Sequence, residues 1–376
     1  MQIICIIPLI ICILFGKIDA DNQKGMQIMK RYDYSFLRNV SIPAEVMTYT
    51  NVICALRSVE AEKKAFYPDL FTSLQKIAIL QSVKGSNAIE GISTTDKRIK
   101  DIVNKNAAPR NHNEREIVGY RDALNMIHTK YEEISFDEKL VLELHRIMLS
   151  QVDQSYGGAY KLEDNVIREV YADGTSIVRW TPVSAKDTPE AMNQMLLAYM
   201  DARDDLSINK LLLIPCVILD FLCIHPFSDG NGRISRLLSL LLLYKAGFDI
   251  PKYISFEEKI NESKWAYYEA LKQSSANWHE NANDYIPFIK NFLFTLYLCY
   301  NELDKRFLIV GDKKVNKKSR VEYAVLNALL PISKQDLSEL LPDVSITTIE
   351  KTLASMLKKG QIRKLGTTRD ARYARK

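Results

Sequence analysis

The sequence predicts a mainly α-helical protein: a helical bundle that carries one β-hairpin, followed by a small basic unit of mixed α and β structure. Three observations point there. Apolar residues recur at helical spacing in segment after segment. The stretch Leu211 to Phe227 is apolar almost all round, with Asp220 its only charge. In the body, strand-like residues flank a single clear turn, Asp173-Gly174. A helix without a polar face lies either in a membrane or at the centre of a bundle. Seventeen residues that run into a polar loop, in a chain with no other such span, belong to a bundle.

Taken in order, Met1 to Phe15 includes an apolar run interrupted by Pro8, with no Lys or Arg before it. It reads either as a signal-peptide core with a poor cleavage site at Ile18-Asp19-Ala20, or as an upstream start with translation beginning at Met26 or Met29. The second reading is preferred, which predicts a cytoplasmic protein with no stable membrane association and sets residues 1–25 aside. Residues 26–112 form an N-terminal helical region, with a helix over Phe71 to Val83 that stops near Gly85. A core follows over residues 113–311. Asn113 is its first N-cap, opening a helix to Ile127, and Ser135-Phe136-Asp137-Glu138 reads as a capping box before Leu140 to Leu149. Val166–Tyr171 and Thr175–Trp180 form the hairpin, and Leu237 to Tyr244 returns the chain through the core. A charged linker, 312–320, leads to a unit over 321–376. That unit has helices over Val321–Leu330, Lys334–Leu341 and Ile346–Lys359, then a basic β-wing over Gln361 to Arg375.

Composition narrows the class. The 376 residues are too many for one core, so two or three domains are expected. Apolar content of 47% and charged content of 26% describe a globular protein. Six scattered cysteines form no Cys-x-x-Cys pair, which argues against zinc and a disulfide framework and for buried thiols in a reducing compartment. From Lys313 to Lys376 there are fifteen Lys and Arg against six Asp and Glu, a charge of +9 within a net +5. Such a tail suits an acidic partner, nucleic acid among them.

The chemistry concentrates in His225-Pro226-Phe227-Ser228-Asp229-Gly230-Asn231-Gly232-Arg233-Ile234-Ser235-Arg236. Gly230, Asn231 and Gly232 allow a tight turn that brings peptide N–H groups close to an anion. The helix after them presents its N-terminus to phosphate. Arg233 and Arg236, three apart, share a face and can clamp a polyphosphate. Asp229 stands where Mg²⁺ bridging two phosphates needs a carboxylate. His225, with an expected pKa near neutrality, can take a proton from an attacking hydroxyl. The spacing is not that of a P-loop, and no second His or Cys nearby supports zinc.

These twelve residues match HxFx(D/E)GNGRxxR at every fixed position, and by that motif the chain resembles the Fic family. The match extends more loosely over about Asn113 to Asn291, through Leu144-His145-Arg146-Ile147-Met148-Leu149 and Gly158-Ala159-Tyr160-Lys161, where Lys161 replaces a common Arg. The resemblance implies a Fic-type bundle that transfers AMP from ATP to a Ser, Thr or Tyr hydroxyl of a protein. It makes His225 the base and Asp229 the Mg²⁺ ligand. Gly230 to Gly232 would cradle the phosphates, with Asn231 at the α-phosphate, Arg233 at the inner phosphates and Arg236 at the γ-phosphate. Phe227 would anchor the loop in the core. Tyr268 and Asn277 are its candidates for the adenine site.

Ser86-Asn87-Ala88-Ile89-Glu90-Gly91 matches the family's inhibitory pattern (S/T)xxxE(G/N), in which Glu90 would pair with Arg236 and deny the γ-phosphate its cation. The hairpin corresponds to the family's flap, which would bind an extended protein target by strand addition near Asp173-Gly174, although Thr181-Pro182-Val183 departs from the usual proline-richer run. The tail resembles a winged-helix domain, with Ile346–Lys359 as recognition helix and Arg363, Lys364, Arg369 and Arg372 on the wing; DNA and protein both stay open as its partner. Removal of AMP, transfer from another nucleotide, and a DNA-binding regulator with a nucleotide-sensing Fic core are the rival readings. A homodimer is left open.

Overall fold

The structure is a computed structural model that describes residues 30–152, 156–170, 174–310, 317–326, 328, 331–341, 344–366 and 371–376. The apolar leader, Asp173 of the flap turn, most of the charged linker and Arg369 lie outside the described residues.

The N-terminal region contributes α1 (Ala44–Phe66), α2 (Pro68–Ile89) and α3 (Asp96–Lys105). Helix α2 runs about one turn past the expected stop, to Ile89. Gly85 does not end it but lets it approach the neighbouring chain: a Cβ there would lie 2.8 Å from Glu258 Oε2 and 3.0 Å from the Glu258 backbone nitrogen. The true end is Gly91, at φ +80, with Ile92 N–H bonded back to Asn87 O.

The core continues with α4 (His112–Lys130) and α5 (Glu138–Met148). Their caps differ from the expected ones. The Asn111 side chain accepts from Glu114 N–H, so Asn113 lies inside α4, and the Asp137 side chain accepts from Leu140 N–H, so Ser135 caps nothing. Strands β1 (Ile167–Val170) and β2 (Ser176–Trp180) pair antiparallel, Val170 opposite Ser176, as the hairpin requires.

Helices α6 (Thr188–Asp204), α7 (Lys210–Ile224), α8 (Asn231–Lys245), α9 (Phe256–Glu262), α10 (Lys264–Ser275) and α11 (Ile286–Val310) complete the bundle. Every residue of α7 from Leu211 to Ile224 is buried, and α6, α8, α10 and α11 pack around it. Asp220 at its middle is fully buried and accepts from Tyr34 Oη (2.8 Å), Trp278 Nε1 (2.7 Å) and Tyr285 Oη (2.9 Å). Among the described residues no helix is long and apolar enough to cross a membrane.

The tail comprises α12 (Lys317–Leu326), β3 (Ile332–Ser333), α13 (Lys334–Leu340), α14 (Ile346–Lys358), β4 (Ile362–Leu365) and β5 (Arg372–Arg375), with sheet order β3-β5-β4. Its first helix starts within the expected linker. Val325, Leu337, Ile349, Leu353 and Tyr373 build a second core, distinct from that of the bundle.

Candidate active site

His225 caps α7 in a left-handed conformation (φ 53, ψ 61), which ends the buried helix and turns the chain into the loop. Phe227 is fully buried and stacks face to face on His145, ring centres 3.8 Å apart and planes at 14°. Asn231 closes the loop: its Oδ1 accepts from Phe227 N–H (2.9 Å) and its Nδ2 donates to Phe227 O (2.7 Å). Both ends of that amide brace the turn at which the phosphates are expected. Gly230 sits at φ +84, where a Cβ would lie 2.3 Å from Met148 Cε. Helix α8 then begins, and the first backbone N–H bonded along it is that of Ile234, to Gly230 O. The earlier amides of this first turn lie at the helix N-terminus, where free N–H groups favour an anion.

The His225 ring is buried, and its nitrogens make no well-aligned hydrogen bond among the described residues, with only the Leu222 backbone close enough to act on its charge as an acceptor. Its pKa is pushed down to about 4, by burial first and then by the charge of Lys161. This corrects the expectation of a near-neutral pKa: the ring is uncharged at pH 7 and holds a free lone pair. Lys161 backs the loop, with its N–H bonded to Pro226 O (2.9 Å) and its ammonium donating to Asn165 Oδ1 (3.1 Å) and Ile224 O (3.4 Å).

The two arginines are brought to one site, each held by acids. Arg233 is buried and pairs with Glu116 Oε2 (2.6 Å) and more distantly with Asp229 Oδ2 (3.4 Å). Arg236 is equally buried; its Nε donates to Ser86 Oγ (2.8 Å) and its Nη2 to Ser86 O (2.9 Å) and Glu90 Oε1 (2.8 Å). Glu90 lies so close to the loop that a Cβ on Gly232 would stand 2.2 Å from Oε1. Burial works to raise the Glu90 pKa, but Arg236, with Arg233 and Lys264 behind it, outweighs burial and holds the carboxyl below its usual range. A carboxylate therefore occupies the mouth of the anion nest.

Tyr268 packs edge-on to Tyr267 (5.5 Å) and lies 5.8 Å from the Lys264 ammonium, which in turn bonds Ile89 O, so it borders the end of α2. Asn277 lies in an exposed turn after α10, with a left-handed backbone (φ 55) and its carbonyl accepting from Ala282 N–H. Asp229 is partly exposed and bonds its Oδ1 to Gly230 N–H (2.6 Å). Among the described residues no three potential ligands gather to cage a metal. One accessible carboxylate beside an anion nest fits Mg²⁺ arriving with a nucleotide, since Mg²⁺ takes few protein ligands and completes its shell with phosphates and water.

Three contributors escaped the sequence reading. Glu116 holds Arg233, and its position three residues after Asn113 on a polar face gave no sign of that. His145 appeared only inside a matching string. Trp180, ending the flap, donates Nε1–H to Cys223 O (2.9 Å) and stacks on His279 (4.9 Å), tying β2 to the helix end that carries His225.

The buried central helix thus delivers a histidine to a glycine-turned loop flanked by two arginines and a hairpin. Residues 135–243 match the Fic/DOC family model. The chain is similar to proteins named protein adenylyltransferase Fic: 31% identical over 224 residues to that of Nematostella vectensis, covering 57% of this chain and 46% of that protein. It is 27% identical over 186 residues to fic-1 of Caenorhabditis elegans, covering 48% and 31%. The chain thus spans less than half the length of these curated relatives. Solved structures with the same fold include a Fic family protein from Desulfovibrio desulfuricans G20 (17% identity, TM-score 0.57, 90% of this chain and 97% of that one). Another is Fic-1 from C. elegans (22% identity, TM-score 0.51, 69% and 71%).

Proposed function

We propose that this protein is an autoinhibited protein adenylyltransferase. The target hydroxyl oxygen attacks the α-phosphorus of ATP, the bond to the β-phosphate oxygen breaks, pyrophosphate leaves, and the hydroxyl proton passes to the imidazole of His225. Mg²⁺, when bound with ATP at Asp229, would neutralise phosphate charge. The α8 amides and Arg233 orient the inner phosphates. The observation that carries the reading is the buried, uncharged His225 ring, with no side chain bonded to it, beside the Gly230–Gly232 turn.

Glu90 is the brake. With Arg236 held by Glu90 and Ser86, the γ-phosphate meets a carboxylate where it needs a guanidinium. Purified Glu90→Gly protein incubated with Mg²⁺ and ATP should gain the mass of AMP much faster than the parent, and the gain should vanish in Glu90→Gly/His225→Ala. Equal labelling of parent and Glu90→Gly would remove the brake; labelling that survives His225→Ala would remove the mechanism. Presenting GTP, UTP and CDP-choline to the same protein tests the other nucleotides.

The target would dock on the flap. Ile177 and Val178 of β2 are about half exposed (48% and 49%), an apolar edge suited to an extended segment whose hydroxyl faces His225. The tail, read as a winged helix, would take duplex DNA: Lys351, Arg363 and Lys364 are exposed, although Arg372 is engaged with Asp336 and Pro331 O. Duplex affinity falling steeply with salt supports this, and no binding at low salt refutes it. Free, buried Cys216, Cys223 and Cys299 suit the reducing cytoplasm expected above.

A further inference from the structure

His145 lies outside the twelve-residue motif, on α5, yet makes three directed contacts with the site. Its ring stacks on Phe227, its Nδ1 lies 3.0 Å from Gly158 N, and its Nε2 lies 3.2 Å from Asp229 O. The two polar partners settle the proton. A peptide N–H only donates, so Nδ1 must accept from Gly158; a peptide carbonyl only accepts, so Nε2 must carry the hydrogen. The ring is fully buried, which leaves no water to substitute for either partner.

The bond to Asp229 O fixes the plane of the Asp229–Gly230 peptide. That peptide sets both the direction of the Asp229 side chain and the left-handed turn at Gly230. The ring also forms the floor under the turn: His145 Cδ2 would lie 3.7 Å from a Cβ on Gly230, beside Met148.

We infer that His145 is a positioning residue for the metal carboxylate: as the Nε2–H tautomer it holds the Asp229–Gly230 peptide so that Asp229 presents its carboxylate to nucleotide-bound Mg²⁺. This rests on the reading of Asp229 as the Mg²⁺ ligand. Glutamine can carry a donor to the Nε2 position, whereas asparagine reaches only the Nδ1 position. The two variants therefore separate the Asp229 bond from the Gly158 bond.

The test measures ATP affinity calorimetrically with and without Mg²⁺, in Glu90→Gly protein. The gain that Mg²⁺ confers should fall on the order of tenfold in His145→Asn, the scale of losing a partner that orients a metal ligand. It should fall less in His145→Gln. Equal gains in parent and His145→Asn, or equal losses in the two variants, overturn the inference. Asp229→Ala separates the two readings. If it leaves the Mg²⁺ gain intact, Asp229 is not the ligand; if it abolishes the gain while His145→Asn does not reduce it, the His145 inference alone fails. Should the variants not fold, ¹⁵N spectra of the unmodified protein, which has five histidines, decide: His145 must show Nε2–H, and an Nδ1–H ring refutes the assignment.

Discussion

Ser86 in the last turn of α2 and Glu90 at its C-cap share the guanidinium of Arg236, and this sets an order among variants. Ser86→Ala removes one hydrogen bond from the charged guanidinium, about 1.5 kcal/mol, and leaves the carboxylate in place. It should therefore raise AMP transfer by about tenfold, well below the effect of Glu90→Gly; a Ser86→Ala rate matching Glu90→Gly would place the brake in the hydroxyl. Histidine burial makes a second prediction. His128, His145 and His225 are each pushed down to about 4, in every case by burial first. Between about pH 6.5 and 4 the unfolded chain takes up protons that the folded rings refuse, so folding stability is fullest above pH 6.5 and is lost as pH falls toward 4. The loss is at most on the order of 3 kcal/mol per ring. Urea midpoints at pH 7.5 and 5.0 check it, and an equal or higher midpoint at pH 5.0 contradicts it. Residue identity was legible throughout the motif, but residue environment was not: a histidine looks the same in sequence whether its ring is wet or dry.

For the elements, the helical periodicity located α2, α4, α5, α7 and α8, and the errors fell at their ends. Gly85 looked like a terminus because glycine ends helices. It is instead a point of close packing, since the chain at Glu258 fills the space of its missing Cβ. Gly85→Ala should destabilise the protein by about 1–3 kcal/mol, as overpacking does, even though alanine favours a helix. A thermal midpoint equal to or above that of the parent would reject the packing account. At α4 both Asn111 and Asn113 can cap. Arg98 chooses between them by gripping the buried Glu114 carboxylate at 2.9 and 2.8 Å, which holds Glu114 in the first turn with its N–H toward Asn111.

At the scale of the whole molecule, Asp220 joins distant parts of the chain. Tyr34 comes from the N-terminal region, Trp278 and Tyr285 from the turn before α11, and all three donate to one buried carboxylate in the central helix. Trp278 also meets Trp180 of the flap at 6.0 Å. Removing the acceptor in Asp220→Ala strands three buried donors, and a loss of about 3–5 kcal/mol is expected. Tyr34→Phe should lose about 1 kcal/mol, and chemical denaturation that ranks Tyr34→Phe as the costlier change would count against the hub. By itself the sequence determined the helical class, the hairpin, the basic tail and the residues of the loop from His225 to Arg236, because periodicity and a contiguous motif are local properties. Only the tertiary structure decided that Glu116 holds Arg233, that His145 holds Asp229, that Asn231 braces the loop and that Glu90 lies against Gly232. Each of those pairings joins residues brought together by helix packing, and the strength of a buried charge or hydrogen bond depends on the surroundings that packing creates.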